Sequence, residues 1–290
     1  MMKAESSLKY ANLHLHSNVS DGGFRPAHLV RMGKSLGYKA LALTDHETIY
    51  GLPEFFEEAK KECIDVMTGC EFYGIVDDAV YHLVGLDFEP KHPSIVELCE
   101  KVTRYRNENT KAKFDLVHEN GYFPEVTWED VVRCNPKTNW YGPDQIGNAF
   151  DLKGVATYCS AIHEFRKVFN SFGVKYSVKK LQASEVIQAI REAGGVAIFA
   201  HPPKDAFTKG HVKMLVDAGL NGIEVSHPNL DEENSRLALV AAEEYNLYRS
   251  GGTDHTGVMS GCDGRSAIPA WNGISYEDFI TIKERKLTAK

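Results

Sequence analysis

The sequence predicts an α/β fold built on a parallel sheet, with enough units to favour a barrel. Three observations carry this. Short apolar runs alternate with amphipathic helical stretches in the first and last thirds of the 290-residue chain. The runs end one after another in His, Asp or Glu. A helix-rich stretch interrupts them in the middle. The length suits one large α/β domain, or one domain carrying an insertion.

The first run, "ANLHLHSNVSDGG", alternates so that His14 and His16 share a face, and Asp21 follows in a Gly-rich turn. "RPAHLVRMGKSLG" reads as a helix, begun at Pro26 and stopped at Gly37. "YKALALTDH" (38–46) is a strand, "GLPEFFEEAKKE" (51–62) a helix, and "IDVMTGCEF" (64–72) and "AVYHLVGLDF" (79–88) are strands. Residues 93–182 then break the rhythm. They are helix-rich, punctuated by Pro124, Pro136 and Pro143, and read as an insertion over one end of a domain formed by 1–92 and 183–290. The rhythm resumes with "SEVIQAIREAGG" (helix), "VAIFAHP" (strand), "HVKMLVDAGL" (helix), "NGIEVSHP" (strand), "EENSRLALVAAEEYN" (helix) and "LYRSGGTDH" (strand).

The composition, 43% hydrophobic and 25% charged, is that of an ordinary globular protein. The net charge of -7 argues against a general or stable nucleic-acid partner. The insertion carries 13 Lys and Arg against 11 Asp and Glu, net +2, leaving -9 for the rest. A mildly basic cap over an acidic centre suits a phosphorylated substrate. Six scattered cysteines without a C-x-x-C pair predict a reducing compartment, hence the cytoplasm. The first dozen residues show no apolar signal segment, and no apolar run is long enough to span a membrane.

In parallel α/β barrels the chemistry sits at the C-terminal strand ends. Here those ends supply His14 and His16, Asp45 and His46, Glu71, His201, His227, and Asp254 and His255, with His82 on the strand near residue 80. A single histidine at a strand end is usually structural; this many in register predict metal binding. Imidazole and carboxylate without thiolate suit Zn, Mn or Fe. Cys70, beside Glu71, should face the opposite way as a small buried residue. There is no G-x-S-x-G elbow, phosphate-binding P-loop or dinucleotide fingerprint. Metal-assisted hydrolysis is therefore favoured over covalent or nucleotide-driven chemistry.

In order, "HLHSNVSDG", "ALTDHETIYG", "GCEF", "YHLVGLDF", "FAHP" and "GGTDH" resemble the motifs of the PHP (polymerase and histidinol phosphatase) superfamily. The resemblance implies a distorted (β/α)7 barrel and hydrolysis of a phosphate ester by a hydroxide bridging two or three divalent ions. It implies that His14, His16, Glu71 and Asp254 hold one ion, Glu71, His82 and His201 a second, and Asp21, His46 and His255 a third. Asp45 would orient a neighbour. His227 would contact phosphate or protonate the leaving group. The helical insertion is similar to that of the branch acting on nucleoside 3',5'-bisphosphates, nucleoside monophosphates and short 5'-phosphorylated oligoribonucleotides. The chain departs from the pattern twice. The family's final D-x-H is here Asp254-His255, which bears on the third ion. The insertion's best match, "GPDQIGNAFDLKG", lacks the branch's Arg-x-His-like phosphate contact, leaving Arg104, Arg106 and Lys153 as substitutes. His28, His92, His118, His163 and His211 read as surface or packing residues. The expected function is hydrolysis of a small phosphorylated molecule, plausibly a nucleotide. The competing readings are an exonuclease on short 5'-phosphorylated strands, a histidinol-phosphate phosphatase, and a metal-binding regulatory module without catalysis.

Overall fold

Two sheets face one another at the site end of the molecule, and their strands are mostly buried. The computed structural model describes residues 10–174, 181–257 and 272–285. Cys262 and the outer ends of the predicted domain therefore lie outside the described residues. The first sheet is fully parallel, in the order β1 (Ala11–Asn12), β2 (Ala40–Ala42), β3 (Asp65–Met67). The second is mixed: β4 (Gly69–Val76), β5 (Ala79–Leu86), β6 (Val196–Phe199), β7 (Gly222–Ser226) and β8 (Tyr248–Gly251). β4, β5 and β6 pair antiparallel; β6, β7 and β8 pair parallel. Ladders such as Ala40-Leu41-Ala42 are apolar on both faces, as covered parallel strands must be.

Isolated bridges join the sheets at Leu15–His255 and His46–Glu71. The histidine segment after β1 is held from both sides. Thr44 N donates to Leu15 O at 2.8 Å, and Leu13 N donates to Gly251 O at 3.1 Å. Among the described residues no continuous ladder closes a barrel.

Two expectations change. The run 64–72 is not one strand, because it breaks between Met67 and Gly69 and passes from one sheet to the other. Gly69 allows the crossing: a Cβ there would lie 2.5 Å from Leu43 O. The next strand is not a β-α unit either. β4 and β5 form a hairpin with Asp77-Asp78 at the tip and Asp77 at φ 50°. The signal was present, since no helical stretch separates the two runs.

Around the sheets lie α1 (Pro26–Ser35), α2 (Leu52–Glu62), α7 (Ala183–Glu192), α8 (Lys204–Thr208), α9 (His211–Asp217), α10 (Glu232–Glu244) and α11 (Tyr276–Lys283). The middle stretch folds as α3 (Pro93–Glu119), α4 (Trp128–Cys134), α5 (Pro143–Leu152) and α6 (Tyr158–Ser171). It has an apolar cluster of its own, including Phe114, Val131, Ile146, Phe150 and Phe165. Each such buried side chain is worth about 2 kcal/mol. The first turns of α3 belong elsewhere: Ile95, Leu98, Cys99 and Val102 pack into the core beneath the mixed sheet. One helix therefore begins in one core and ends in the other.

Candidate metal centre and active site

Each candidate ligand stands on backbone that tertiary structure fixes. His14 and His16 occupy the extended segment clamped as above. Gly252 lets the β8 exit close on it, since a Cβ there would lie 2.4 Å from both Cβ and N of His14. Asp45 holds the turn that carries Asp21. Its carboxylate accepts from Ser17 N (2.7 Å), Ser17 Oγ (2.6 Å) and Ser20 Oγ (2.7 Å). Burial still raises its pKa, with those bonds in opposition. Three non-glycine residues at the site adopt left-handed backbone: Glu47 (φ 57°), His201 (φ 65°) and Asp254 (φ 46°). Such conformations cost about 1–3 kcal/mol each and collect at functional sites.

The ligand atoms form overlapping groups: His14, His16 and Glu71; Glu71, His82 and His201; and His16, Asp21 and His46. Within each group the atoms lie within 4.8 Å of one another. Glu71 is the hub. Its Oε2 lies 3.3 Å from His14 Nε2, 3.2 Å from His16 Nε2 and 3.2 Å from His46 Nδ1. Its Oε1 lies 2.7 Å from His82 Nδ1 and 3.1 Å from His201 Nε2. Asp254 Oδ1 is 3.2 Å from His16 Nε2 and 3.7 Å from His14 Nε2. His16 Nδ1, His46 Nδ1 and Glu71 Oε2 are buried without a hydrogen bond. Converging buried donors left unsatisfied are what divalent ions require, so the residues present fit such ions.

Glu224, which the sequence reading missed, lies beneath His14. Its Oε1 accepts from His14 Nδ1 at 2.8 Å, which turns the Nε2 lone pair toward Glu71. The alternation of "GIEVS" on a strand end was the available signal. Burial alone would depress His14, but Glu71 and Glu224 override it and push the ring up to about 10. Burial likewise opposes ionisation of Glu71, but the surrounding imidazoles hold it well below the usual carboxylate range.

His227 joins His14 and His201 in a fourth cluster of ligand atoms. Its Nδ1 accepts from Asn229 N at 3.0 Å, so in the neutral ring the proton is on Nε2, facing Asp254 Oδ2 at 3.5 Å. In that tautomer the Nε2 proton faces Asp254 without closing a hydrogen bond.

His255 is not brought to the third group. Its backbone carbonyl accepts from His16 N at 3.0 Å, while its ring packs 6.0 Å from Phe24. Burial lowers its pKa to about 4. Thr256, the next residue, lines the cavity instead. The three basic candidates are not brought to it either. Arg106 donates to Glu47 Oε2 at 2.7 Å and lies over Tyr73 and Trp140, the rings that stack on His46. Lys153 donates to Asp130 Oδ2 at 2.7 Å. Arg104 is exposed beside Tyr105, along a different cavity. In each case a nearer acidic or aromatic partner on the insertion, or on the loop after His46, takes the cation.

A cavity of about 380 Å³ opens over Asp21, His46, Glu71, His82, His201 and Asp254. Its roof comes from Asp144 at the start of α5 and from Tyr158, Ile162, His163 and Arg166 of α6. Residues 158, 162 and 166 recur every fourth position and so share one helix face. His163 is exposed, as expected, and also lines the cavity. Arg166 and Asp144 were not expected, because nothing local in "YCSAIHEFRK" shows which face meets the barrel. Burial and the charge of Asp21 push Asp144 up to about 6. Cys159, on the same wall, is disulfide-bonded, whereas the scattered cysteines had suggested a reducing compartment rather than a disulfide framework.

A PHP domain profile matches residues 12–200. The chain is 27% identical over 252 residues to a phosphoribosyl 1,2-cyclic phosphate 1,2-diphosphodiesterase of Eggerthella lenta, covering 85% of this chain and 94% of that one. It is 28% identical over 250 residues to a 5'-3' exoribonuclease of Haemophilus influenzae (85% and 89% covered). It is 25% identical over 256 residues to a 3',5'-nucleoside bisphosphate phosphatase of Chromobacterium violaceum (84% and 86% covered). Among solved structures, one described as a metal-dependent phosphoesterase of Bifidobacterium adolescentis superposes with a TM-score of 0.82 at 25% identity, over 97% of this chain and 98% of that one.

Proposed function

The chain belongs to the PHP family as a metal-dependent phosphoesterase, and we propose that its substrate is a small phosphorylated molecule with a nucleotide-like body. The observation that carries this reading is the pairing of the three overlapping ligand groups around Glu71 with a roofed cavity of about 380 Å³. That volume suits a small ligand and excludes a duplex. Named relatives act on a nucleoside bisphosphate and on a phosphoribosyl cyclic phosphate. We assign the ligands as His14, His16, Glu71 and Asp254; Glu71, His82 and His201; and His16, Asp21 and His46. The last group has two histidines without His255. Two ions fit the groups sharing Glu71, and a third fits beside Asp21. The bridges at Leu15–His255 and His46–Glu71 are consistent with a distorted barrel, capped by residues 93–182.

Bound divalent ions supply charge neutralisation at the phosphoryl oxygens and lower the pKa of water. The chain's own residues do the rest. Asp45 fixes the Asp21 turn. Glu224 sets the tautomer of His14. His227, carrying its proton on Nε2, is placed beside Asp254 to supply a proton to a leaving oxygen. Arg166 offers positive charge, and His163 a ring nitrogen, on the wall of the same cavity.

A second reading is a short 5'-phosphorylated oligoribonucleotide. A neighbouring cavity of about 250 Å³ shares Asp21, Asp144 and Tyr158 with the first and gives room beyond one nucleotide. Phosphate release with added Mn, from AMP, a nucleoside 3',5'-bisphosphate, histidinol phosphate and a short 5'-phosphorylated RNA, tests both. Preference for either nucleotide supports the first, preference for RNA the second. Release from none contradicts both.

A further inference from the structure

The two cavities meet at a wall that the ligand groups do not explain. Asp144 and Tyr158 line both. The Tyr158 hydroxyl donates to Asp144 Oδ1, the one side-chain hydrogen bond of Asp144 among the described residues. An acid in the first turn of a helix ordinarily answers the helix dipole or caps the end. Capping of α5 is done by its neighbour: Gln145 Oε1 accepts from Gly142 N at 2.9 Å. Asp144 is instead half-buried in the wall between the two cavities, with most of its acceptor capacity open to what enters them. A carboxylate so placed can accept from a donor on a ligand that fills either cavity.

An ammonium group and a hydroxyl could each be that donor. Arg166 lines the same cavity and disfavours a second cation there. A hydroxyl meets no such repulsion, and the Tyr158 oxygen can accept from a second one. Resting on the phosphoesterase reading above, we propose that Asp144 and Tyr158 form a hydroxyl-recognition subsite, so that the preferred phosphate ester carries free hydroxyls on a ring such as ribose.

The test is the ratio of kcat/KM values on metal-loaded enzyme for AMP, 2',3'-dideoxyAMP, ribose 5-phosphate and an aminoalkyl phosphate. Wild type should prefer AMP to the dideoxy analogue by about tenfold, because the analogue leaves the Asp144 acceptor without its donor once the cavity is filled. In Asp144→Ala that ratio should fall to within about twofold. Should Asp144→Ala not fold, Tyr158→Phe carries the same test, with the ratio reduced several-fold. Ribose 5-phosphate matching AMP assigns recognition to the sugar alone; its failure adds the base as a requirement while the hydroxyl ratio still stands. An unchanged AMP-to-dideoxy ratio in the variants, or wild-type preference for the aminoalkyl phosphate, overturns the subsite. No phosphate released from any ester by wild type overturns the phosphoesterase reading itself, and this assignment with it.

Discussion

Glu224 shows how much a single buried carboxylate governs. It lines neither of the two cavities at the site, yet it decides which nitrogen of His14 faces Glu71. Carboxylates behind ligating histidines typically account for about 10- to 100-fold in affinity or activity. Glu224→Ala should therefore lower bound metal and turnover together by that order, read by elemental analysis and phosphate release; normal metal content in the variant contradicts the role. The His14 ring also predicts a pH dependence. Its folded pKa is raised to about 10 from an ordinary 6.5. In ion-free protein the stabilisation from its proton is full below about pH 6.5 and is lost as pH rises through about 10. A metal must displace that proton, so affinity should climb across this window. Chelator competition at three pH values would show it, and a flat profile would sink the argument. His14, His16, Glu71 and His201 could be found from the sequence because strand alternation and strand ends are local properties. Glu224 was missed because the alternation of its strand marks which face it takes but not its partner, 210 residues away in the chain.

At the scale of elements, the loop after β2 depends on the insertion. Arg106 of α3 and Trp140 Nε1 both donate to Glu47, and Thr103 Oγ1 donates to Glu47 O. This fixes the backbone next to His46, whose ring lies against Tyr73 and Trp140. Removing one partner of a buried ion pair leaves the other uncompensated, at roughly 3 kcal/mol or more. Arg106→Met should cost about that in denaturant unfolding and weaken binding at the His16, Asp21 and His46 group before the others. Loss of phosphate binding with unchanged stability would return Arg106 to the substrate role that its sequence position suggested. Gly252→Ala makes a second case. The added Cβ would drive the β8 exit off His14, so metal and stability should fall together, and an unaltered metal content would contradict that packing. Helices α1, α2, α7, α9 and α10 were legible from their spacing and their Pro and Gly punctuation, whereas α8 and α11 were not read. The antiparallel pairing of β5 was missed although no helical stretch separates it from β4, because the rhythm of the neighbouring units suggested parallel strands.

For the whole molecule, the sheet core and the insertion core share α3. Unfolding should therefore appear as one transition, with the circular dichroism of the whole chain and the fluorescence of Trp128 and Trp140 changing at the same denaturant concentration. Separate midpoints would show that the cores are independent. The sequence marked the insertion by its broken rhythm and charge, but which of its residues reach the site depends on how α5 and α6 pack, and that has no local signature. The continuity of α3 has a consequence for traffic. Its 27 residues span about 40 Å as a single stiff rod rooted in both cores. A roof mounted on such a beam cannot swing on a hinge at that end without bending the beam. The entrance is then a fixed doorway rather than a closing jaw, and molecules too broad for it are turned away before any chemistry begins.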